Sequence, residues 1–299
     1  MAENIAENWK VFSGANKWEG LLDKPINPDF LRYLIHYGER VQAIRDAFNS
    51  QKLSNTFGLP RFPPEELFSK VGLEKANPFK YEVLAEVRKL VDYYGEKGEE
   101  VSITVAGYSL GAALATITAM DIVSNGFNKP TGSGKTFPVT AFAYASPRVG
   151  DKGLLNVFSD LIVIHILRIS NFLDPVPVIP LFDGYVAVAN AELIINSSKS
   201  PYLKDTKPHE LEIYLHGIAG YNGQFTDFDL VVPRDLALVN KTLYILKDND
   251  KLKVLPEWWH VRNNLMTQHE NGFWDIDTDY VADPPSEDDI AVLTKNALA

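Results

Sequence analysis

The pattern of hydrophobic and polar positions changes its period within residues 101–126. Val101, Ile103 and Val105 alternate with other residues over 101–106, which is typical of a strand, and the alanine-rich run that starts at Ala112 has the composition of a helix. The pentapeptide Gly-Tyr-Ser-Leu-Gly at 107–111 separates the two runs. This order predicts a strand over 101–106, a tight turn, and a helix that ends near 123–126.

Apolar residues also recur at helical spacing over 28–49, where Asn27 can cap the helix and Pro28 occupies its first position. A second helix is predicted over 81–94. Downstream, apolar runs alternate with segments of helical pattern. The further predicted strands are 139–145, 161–169 and 185–195, and the further predicted helices are 152–158, 209–216 and 234–247.

This alternation predicts an α/β fold with a mainly parallel sheet, whose nearly continuous apolar strands suit burial on both faces. No break in composition divides the chain, so we expect a single domain over 1–299. It comprises an N-terminal helical region (1–98), a central region with the candidate site (99–247) and a C-terminal extension (248–299). The acidic residues from Asp275 onward predict a mobile, solvated end.

The net charge of the chain limits the classes of molecule that it is expected to bind. Lys and Arg number 29 and Asp and Glu 39, which gives a net charge of −10, and no long basic run occurs. This balance argues against nucleic acid as a partner and against simple electrostatic docking on an anionic membrane. A lipid substrate would therefore be reached through transient, apolar contact with a membrane surface.

Cysteine is absent, which excludes disulfides, Cys-ligated zinc and a thiol nucleophile. The N-terminus is polar and acidic and lacks the basic and apolar regions of a secretory signal, so a cytosolic location is expected. The uncharged stretch 101–120 has the length of a membrane span, but its glycines and polar residues favour a strand followed by a helix.

Ser109 is the candidate nucleophile. Gly-x-Ser-x-Gly between a strand and a helix is the pattern of a nucleophile elbow, a tight turn that lifts a serine hydroxyl out of the sheet. Gly107 and Gly111 stand where a Cβ would crowd the turn or the packing of the helix on the strand. The alternative is a buried strand and helix that contain this pentapeptide by chance, and the matching flanks favour the nucleophile.

A serine at an elbow needs a base that takes its proton and a carboxylate that orients the base. In α/β-hydrolases the acid follows the serine along the chain and the histidine comes last. Asp174 lies just past the strand at 161–169, where parallel strands deliver catalytic groups, although an Asp before Pro also commonly starts a turn. Asp160, before that strand, and Asp183, far along a proline-rich loop, are weaker alternatives.

Two histidines, His209 and His216, lie downstream of Asp174. They share one face of the predicted helix two turns apart, so only one can reach Ser109. His209, at the junction of loop and helix, is favoured as the base, and His216 is expected to be a hydrogen-bonded packing residue, but spacing alone leaves both open. His165 lies within an apolar strand and is expected to be a satisfied core residue. The other histidines precede the serine or lie in the polar C-terminal region: His36, His260 and His269.

Several segments resemble the class-3 lipases: GYSLGAALA at the elbow, ASPRVG at a strand end, RISNFLDPVP, and HELEIYLHGIAG. The segments WKVFSGANKWEGLLD, LRYLIHYGER and PRDLALVNK resemble the plant phospholipase A1 branch specifically. The resemblance implies an α/β-hydrolase-like fold with Ser109 as nucleophile, Asp174 as triad acid and His209 as base, and no metal or organic cofactor. Tyr108 stands where the family commonly has His, at a position that supports the turn.

One segment departs from the family. The family has several strands between the parts that match Pro78–Val83 and Ala85–Tyr94, and one of them carries an A-W-R-G-T-like oxyanion loop. Here the two parts are joined directly at about Val83–Leu84. The resemblance therefore implies a sheet that is incomplete on its N-terminal side and an oxyanion site with one surviving donor, the backbone N–H of Leu110. Loss of one such donor lowers kcat by roughly a hundred- to a thousandfold.

The function that the resemblance implies is a serine acylhydrolase that cleaves the sn-1 ester of phospholipids. Two alternatives stay open at this point. One is a lipase-like interaction protein with impaired catalysis, and the other is a hydrolase of different acyl esters, such as galactolipids or neutral glycerides.

Overall fold

The computed structural model describes residues 2–23, 25–49, 54–55, 59–63, 66, 70, 83–181, 184–205, 207–223, 226–247, 252–259, 265–269, 271–276, 290 and 294. The chain divides into two compact units. Unit 1 comprises Met1–Glu39 and Tyr81–Arg234, and unit 2 comprises Arg40–Lys80 and Asp235–Ala299. The single domain expected over 1–299 stays a prediction.

Unit 1 alternates helices and strands, as the apolar pattern predicts. Its helices are α1 (Ala2–Glu7), α2 (Trp9–Phe12), α3 (Pro28–Ala47, whose end belongs to unit 2), α4 (Val83–Glu96), α5 (Leu110–Ser124), α6 (Lys152–Ser159) and α7 (Leu211–Ala219). Its strands are β1 (Ile103–Tyr108), β2 (Val139–Tyr144), β3 (Ile164–Asn171) and β4 (Ala191–Ile195). Two short 3-10 helices follow β3 and β4, at Val176–Val178 and Ser197–Lys199.

The four strands form one parallel sheet in the order β1-β2-β3-β4. Every connection is a crossover, so the carboxyl ends of all four strands lie at the same edge, where catalytic groups collect in such sheets. Helices flank this sheet, which confirms the α/β-hydrolase-like fold. Within the described residues β1 pairs on one side only and is mostly half-buried, whereas β2 and β3 are buried throughout.

The two faces of the sheet are covered by different parts of unit 1. Helices α5 and α6 pack on one face, with Leu84 and Val87 of α4 beside them. On the other face the ring of Phe142 contacts Trp18, Tyr33 and Tyr37, at centroid distances of 6.3, 5.8 and 5.3 Å. The buried residues of the first face are Ala119, Met120, Ile122, Val123, Val139, Ala141, Phe158, Ile164, Ile166 and Val188.

The uncharged stretch 101–120 contains β1 and much of α5, as predicted, with a turn between them. Among the described helices, none is both long enough and apolar enough to cross a bilayer. Asn27 caps α3 as predicted, because its Oδ1 accepts the N–H of Asp29 at 2.8 Å.

Several of the predicted elements are shorter or begin later than the pattern indicated. The strand predicted over 185–195 forms only at Ala191–Ile195, and the helix predicted from 209 begins at Leu211. The later start of α7 leaves His209 in the preceding loop, where its side chain is not fixed by helical geometry.

The helix predicted over 234–247 is wrong. Only a 3-10 helix forms there, at Leu236–Asn240, after Asp235 accepts the N–H of Ala237 at 2.9 Å. The side chain of Asn240 then accepts the N–H groups of Ile245 and Leu246, both at 3.0 Å. An Asn side chain that captures backbone donors competes with helical hydrogen bonding, so the chain turns instead of continuing the helix.

Unit 2 contains a buried ion pair and a small hairpin. Lys241 Nζ lies 2.5 Å from Asp46 Oδ2 and 4.2 Å from the ring centre of Trp259. The hairpin consists of β5 (Met266–Gln268) and β6 (Trp274–Ile276), paired antiparallel. Asp275 therefore lies in a strand and not in a mobile end, and most residues beyond it are outside the described part of the chain.

Candidate active site

Ser109 lies between the end of β1 and the start of α5, in a strained backbone conformation. Its φ of 56° and ψ of −124° place a non-glycine residue in a sparsely populated region, which costs on the order of 1–3 kcal/mol. Neighbouring elements hold it there. Its N–H donates to the carbonyl of Tyr144 at 2.9 Å, and its carbonyl accepts the N–H groups of Ala112 and Ala113. This is the geometry of a nucleophile elbow.

The two glycines of the pentapeptide differ in whether the structure has space for a Cβ at their positions. A Cβ on Gly107 would lie 2.2 Å from the carbonyl oxygen of Gly111, so only glycine fits where the helix crosses the strand. A Cβ on Gly111 would have no described atom within 4 Å. The expected steric need for glycine is therefore confirmed at 107 and wrong at 111, because the space beside Gly111 is open.

The structure brings together the three side chains that the sequence pointed to. His209 Nε2 lies 2.9 Å from Ser109 Oγ, and His209 Nδ1 lies 2.7 Å from Asp174 Oδ2. The carboxylate of Asp174 is fully buried, and the imidazole is about one-third exposed. A buried carboxylate accepts the Nδ1–H, so the Nε2 lone pair faces the serine hydroxyl, which is the tautomer that a base needs.

Asp174 is held by more than the imidazole. Its Oδ2 also accepts the hydroxyl proton of Tyr214 at 2.6 Å, and its Oδ1 accepts the N–H of Val176 at 2.9 Å. Burial, and then the hydrogen bond and charge of Asp174, raise the pKa of Tyr214 above its ordinary value of 10, so the phenol stays protonated. The carboxylate therefore keeps one orientation, with three donors around it.

Asn171 anchors the loop that carries the imidazole. It is the last residue of β3, and its amide donates to the carbonyl of Pro208 at 3.1 Å and to Ser197 Oγ at 2.8 Å. Its backbone N–H donates to the hydroxyl of Tyr214 at 3.0 Å. Asn171 therefore connects the loop before α7 to the tyrosine hydroxyl that donates to Asp174.

The sequence argument missed Tyr214 and Asn171. Both left a signal: Asn171 shares a strand-end loop with Asp174, and Tyr214 is a polar-tipped side chain within an apolar helix. A buried tyrosine hydroxyl must find a partner, and the nearest buried charge is the expected one.

His216 is a packing residue, as expected. It is buried, with Nε2 2.7 Å from Ser200 Oγ and its ring stacked on Phe228 at 4.7 Å. Burial, and then the charge of Arg234, lower the pKa of His216 to about 3, so it is neutral at physiological pH. It is therefore not positioned to serve as the base for Ser109.

The remaining candidates lie elsewhere. His165 is buried, but its Nδ1 has no hydrogen-bond partner among the described residues, so the expectation of a satisfied residue is wrong at that atom. Asp160 is exposed at the end of α6, and His36 and His269 are also exposed. Asp183 and His260 lie outside the described residues.

Leu110 supplies a backbone donor beside the nucleophile. It is the first residue of α5, and first-turn N–H groups have no acceptor within their own helix. The positive end of the helix dipole would, together with this donor, stabilise negative charge that develops on a substrate oxygen. Within the described part of the chain, no group of three or more His, Asp or Glu side chains is placed to hold a metal ion.

Comparison with known proteins identifies the family. The model of the family Lipase (class 3) matches residues 43–184. Phospholipase A1-IIgamma of Arabidopsis thaliana is 31% identical over 399 positions, which cover 92% of this chain and 94% of that protein. The chain belongs to the class-3 lipases, in their plant phospholipase A1 branch. This lipase-type hydrolase is also similar to Phospholipase A1-II 3 of Oryza sativa subsp. japonica, with 44% identity over 277 positions that cover 91% of this chain and 62% of that protein.

A further relative shows how much of the family's length this class-3 lipase lacks. Phospholipase A1-IIalpha of Arabidopsis thaliana is 30% identical over 426 positions, which cover 100% of this chain and 99% of that protein. The whole 299-residue chain takes part in that alignment. Well over a hundred positions of the relative therefore have no counterpart here, which agrees with the absence of an internal segment.

Proposed function

We propose that this chain is a serine acylhydrolase that cleaves the sn-1 ester of glycerophospholipids. The observation that carries the proposal is the chain of hydrogen bonds from Ser109 through His209 to Asp174, at an elbow on the carboxyl edge of a parallel sheet. The similar proteins are named phospholipases A1, which supports the substrate and the position of the ester.

The proposed reaction is an acyl transfer in two stages, acylation of Ser109 and hydrolysis of the acyl-serine. Ser109 Oγ attacks the acyl carbonyl carbon while His209 Nε2 takes the hydroxyl proton, and Asp174 stabilises the imidazolium that forms. The negative oxygen of the tetrahedral intermediate accepts the N–H of Leu110. His209 then returns the proton to the departing glycerol oxygen, which releases the lysophospholipid. Water activated by the same imidazole hydrolyses the acyl-serine and releases the fatty acid.

Positional analysis of the product tests this proposal. We expect a phosphatidylcholine with different acyl chains at its two positions to release the sn-1 acid in excess over the sn-2 acid. Mass spectrometry of the free acids and of the lysophospholipid measures both. Release of the sn-2 acid alone, or release only from galactolipids or neutral glycerides, contradicts the sn-1 phospholipid assignment and leaves a different acylhydrolase.

Exposed apolar residues of α5 and of the chain after β3, together called the rim here, support contact with a membrane surface. Leu110 and Leu114 of α5 are exposed, as are Phe172 and Leu173 after β3 and Leu181 further along the loop. Residues 110–120 carry no charge, and the only charged residue in 172–181 is the buried Asp174. Such a rim suits insertion into a zwitterionic bilayer, since the net charge of −10 gives no attraction to an anionic one.

A charged substitution in the rim tests the membrane contact. Leu181 is 76% exposed, and we expect Leu181→Glu to lower binding to phosphatidylcholine vesicles about tenfold, because burial of one leucine contributes roughly 1.5–3 kcal/mol. Cosedimentation with vesicles measures this in a Ser109→Ala background, which prevents hydrolysis. The matched control is Ile162→Glu, which lies before β3 at the opposite edge of the sheet and is 88% exposed. Equal binding by both variants contradicts the proposed contact.

The missing segment favours a second candidate, a lipase-like interaction protein with impaired catalysis. Only the Leu110 N–H remains from the two oxyanion donors that the family resemblance implies, and one lost donor costs about a hundred- to a thousandfold in kcat. A chain of this kind keeps the elbow and the hydrogen bonds of His209 but does not form an acyl-serine. Reactivity of Ser109 therefore separates the two candidates.

A further inference from the structure

Tyr108 occupies the position before the nucleophile and extends toward the loop of the base. It ends β1, where its Cα pairs with that of Tyr144 on β2. Its hydroxyl donates to the backbone carbonyl of His209, and its ring lies 5.1 Å from the imidazole ring at an interplanar angle of 32°. One side chain thus contacts both the main chain and the ring of the candidate base.

The loop that carries His209 depends on such contacts. His209 lies outside regular secondary structure and precedes Glu210, the N-cap residue of α7, whose side chain makes no capping bond among the described residues. Two consecutive carbonyls of this loop are bound by side chains from the carboxyl edge of the sheet. Asn171 of β3 binds the carbonyl of Pro208, and Tyr108 of β1 binds the carbonyl of His209.

We infer that Tyr108 is a positioning residue that clamps the backbone of His209 to the nucleophile elbow. The inference rests on the proposed function, in which His209 is the base for Ser109. Tyr108 and Ser109 are adjacent, so the residue that fixes the base moves with the nucleophile. The distance from imidazole to hydroxyl is therefore set within one short turn instead of across the sheet. The hydrogen bonds of Asn171 and Tyr108 thus hold the loop at two consecutive carbonyls, those of Pro208 and His209.

The substitution Tyr108→Phe removes the O–H and keeps the ring. A matched control is Thr140→Val, because Thr140 lies on the neighbouring strand β2 and also donates its hydroxyl to a backbone carbonyl, that of Ser13 at 2.7 Å. Both variants lose one hydroxyl-to-carbonyl bond, but only one of those bonds involves the base. Thermal melting of both variants reports their folding.

We expect Tyr108→Phe to lower kcat for a soluble short-chain ester by about 10- to 100-fold with KM within about twofold, since misplacement of a catalytic group by about 1 Å costs on the order of a hundredfold. We expect Thr140→Val to leave kcat within about twofold. A second readout is the low-field proton resonance of the His209 Nδ1–H bonded to Asp174, assigned by its loss in His209→Gln. This resonance should broaden or vanish in Tyr108→Phe and persist in Thr140→Val.

Two outcomes overturn the inference. In the first, Tyr108→Phe keeps both the turnover and the resonance of the wild type. In the second, the two variants lose activity and melting temperature equally, which shows a structural role alone. If the wild type shows no turnover at all, the proposed function fails separately. The resonance then decides, because its selective loss in Tyr108→Phe supports the clamp and its retention refutes it.

Discussion

Replacement of Ser109 by alanine should lower the release of fatty acid from phosphatidylcholine by about 10³- to 10⁶-fold, with the fold unchanged. The hydroxyl oxygen is the atom that would form the acyl bond, and no other described side chain stands 2.9 Å from His209 Nε2 in its place. Loss of a nucleophile removes the acyl-enzyme route and leaves only the contribution of binding and the oxyanion donor.

The control for this variant is Ser159→Ala. Ser159 ends α6 and its hydroxyl donates to the carbonyl of Leu155 at 2.8 Å. Its loss should leave hydrolysis within about twofold of the wild type, as for surface substitutions in general. The measurement is the rate of fatty-acid release from the same vesicles by the wild type, Ser109→Ala and Ser159→Ala. Equal release by wild type and Ser109→Ala means that Ser109 is not the nucleophile.

Replacement of Asp174 by asparagine should lower kcat by about 10⁴-fold, while the free energy of unfolding changes much less. Asparagine keeps the shape of the side chain and an oxygen for the N–H of Val176. An NH₂ group in the place of Oδ2 can only donate to His209 Nδ1, and the hydroxyl of Tyr214 then accepts a hydrogen bond instead of donating one. The imidazole is then driven to the tautomer with a proton on Nε2, which cannot accept the proton of Ser109. Mutation of a triad acid to its amide acts through this tautomer.

The matched control for the acid is Asp160→Asn, because Asp160 is the alternative carboxylate that the sequence left open. It is exposed at the end of α6, away from the imidazole. Steady-state hydrolysis of a soluble ester and chemical denaturation should be measured on both variants. If Asp174→Asn keeps kcat within about tenfold of the wild type, or if Asp160→Asn is the more damaging change, the role assigned to Asp174 is wrong.

The sequence predicted the central elements of unit 1 well because they bury apolar side chains with a clear period. The strand, turn and helix around Ser109 form as the pattern indicates, and β3 is buried along its length. The helix predicted over 234–247 failed for a local reason. The side chain of Asn240 captures backbone donors of Ile245 and Leu246, an effect that apolar periodicity does not contain.

The candidate site was predictable only in part. The order of Ser109, Asp174 and His209 along the chain and the expected ends of parallel strands pointed to these three residues. The side chains that hold them were not predictable, because the contacts of Tyr214 and Tyr108 join positions 40 and 101 residues apart in the chain. Spacing also left His209 and His216 open, and burial distinguishes them: His216 is enclosed by Ser200 and Phe228.

The open space beside Gly111 and the half-buried edge strand β1 share one explanation. Both adjoin the elbow, where the family resemblance implies further strands, and the alignment with Phospholipase A1-IIalpha of Arabidopsis thaliana includes well over a hundred positions that this chain lacks. We propose that the backbone N–H of Leu110 acts as the oxyanion donor on its own. Hydrolysis by the wild type should be slower than that of a full-length relative by the hundred- to thousandfold cost of one oxyanion donor.

The most direct test of the account is the reaction of the folded chain with a fluorophosphonate probe, followed by peptide mapping. Such a probe forms a covalent bond only with a serine whose neighbouring base removes its proton. We predict labelling on Ser109 alone, and loss of that labelling in Ser109→Ala. A folded wild-type protein that remains unlabelled, or that is labelled at another serine, would contradict the claim that Ser109, His209 and Asp174 form a working hydrolase site.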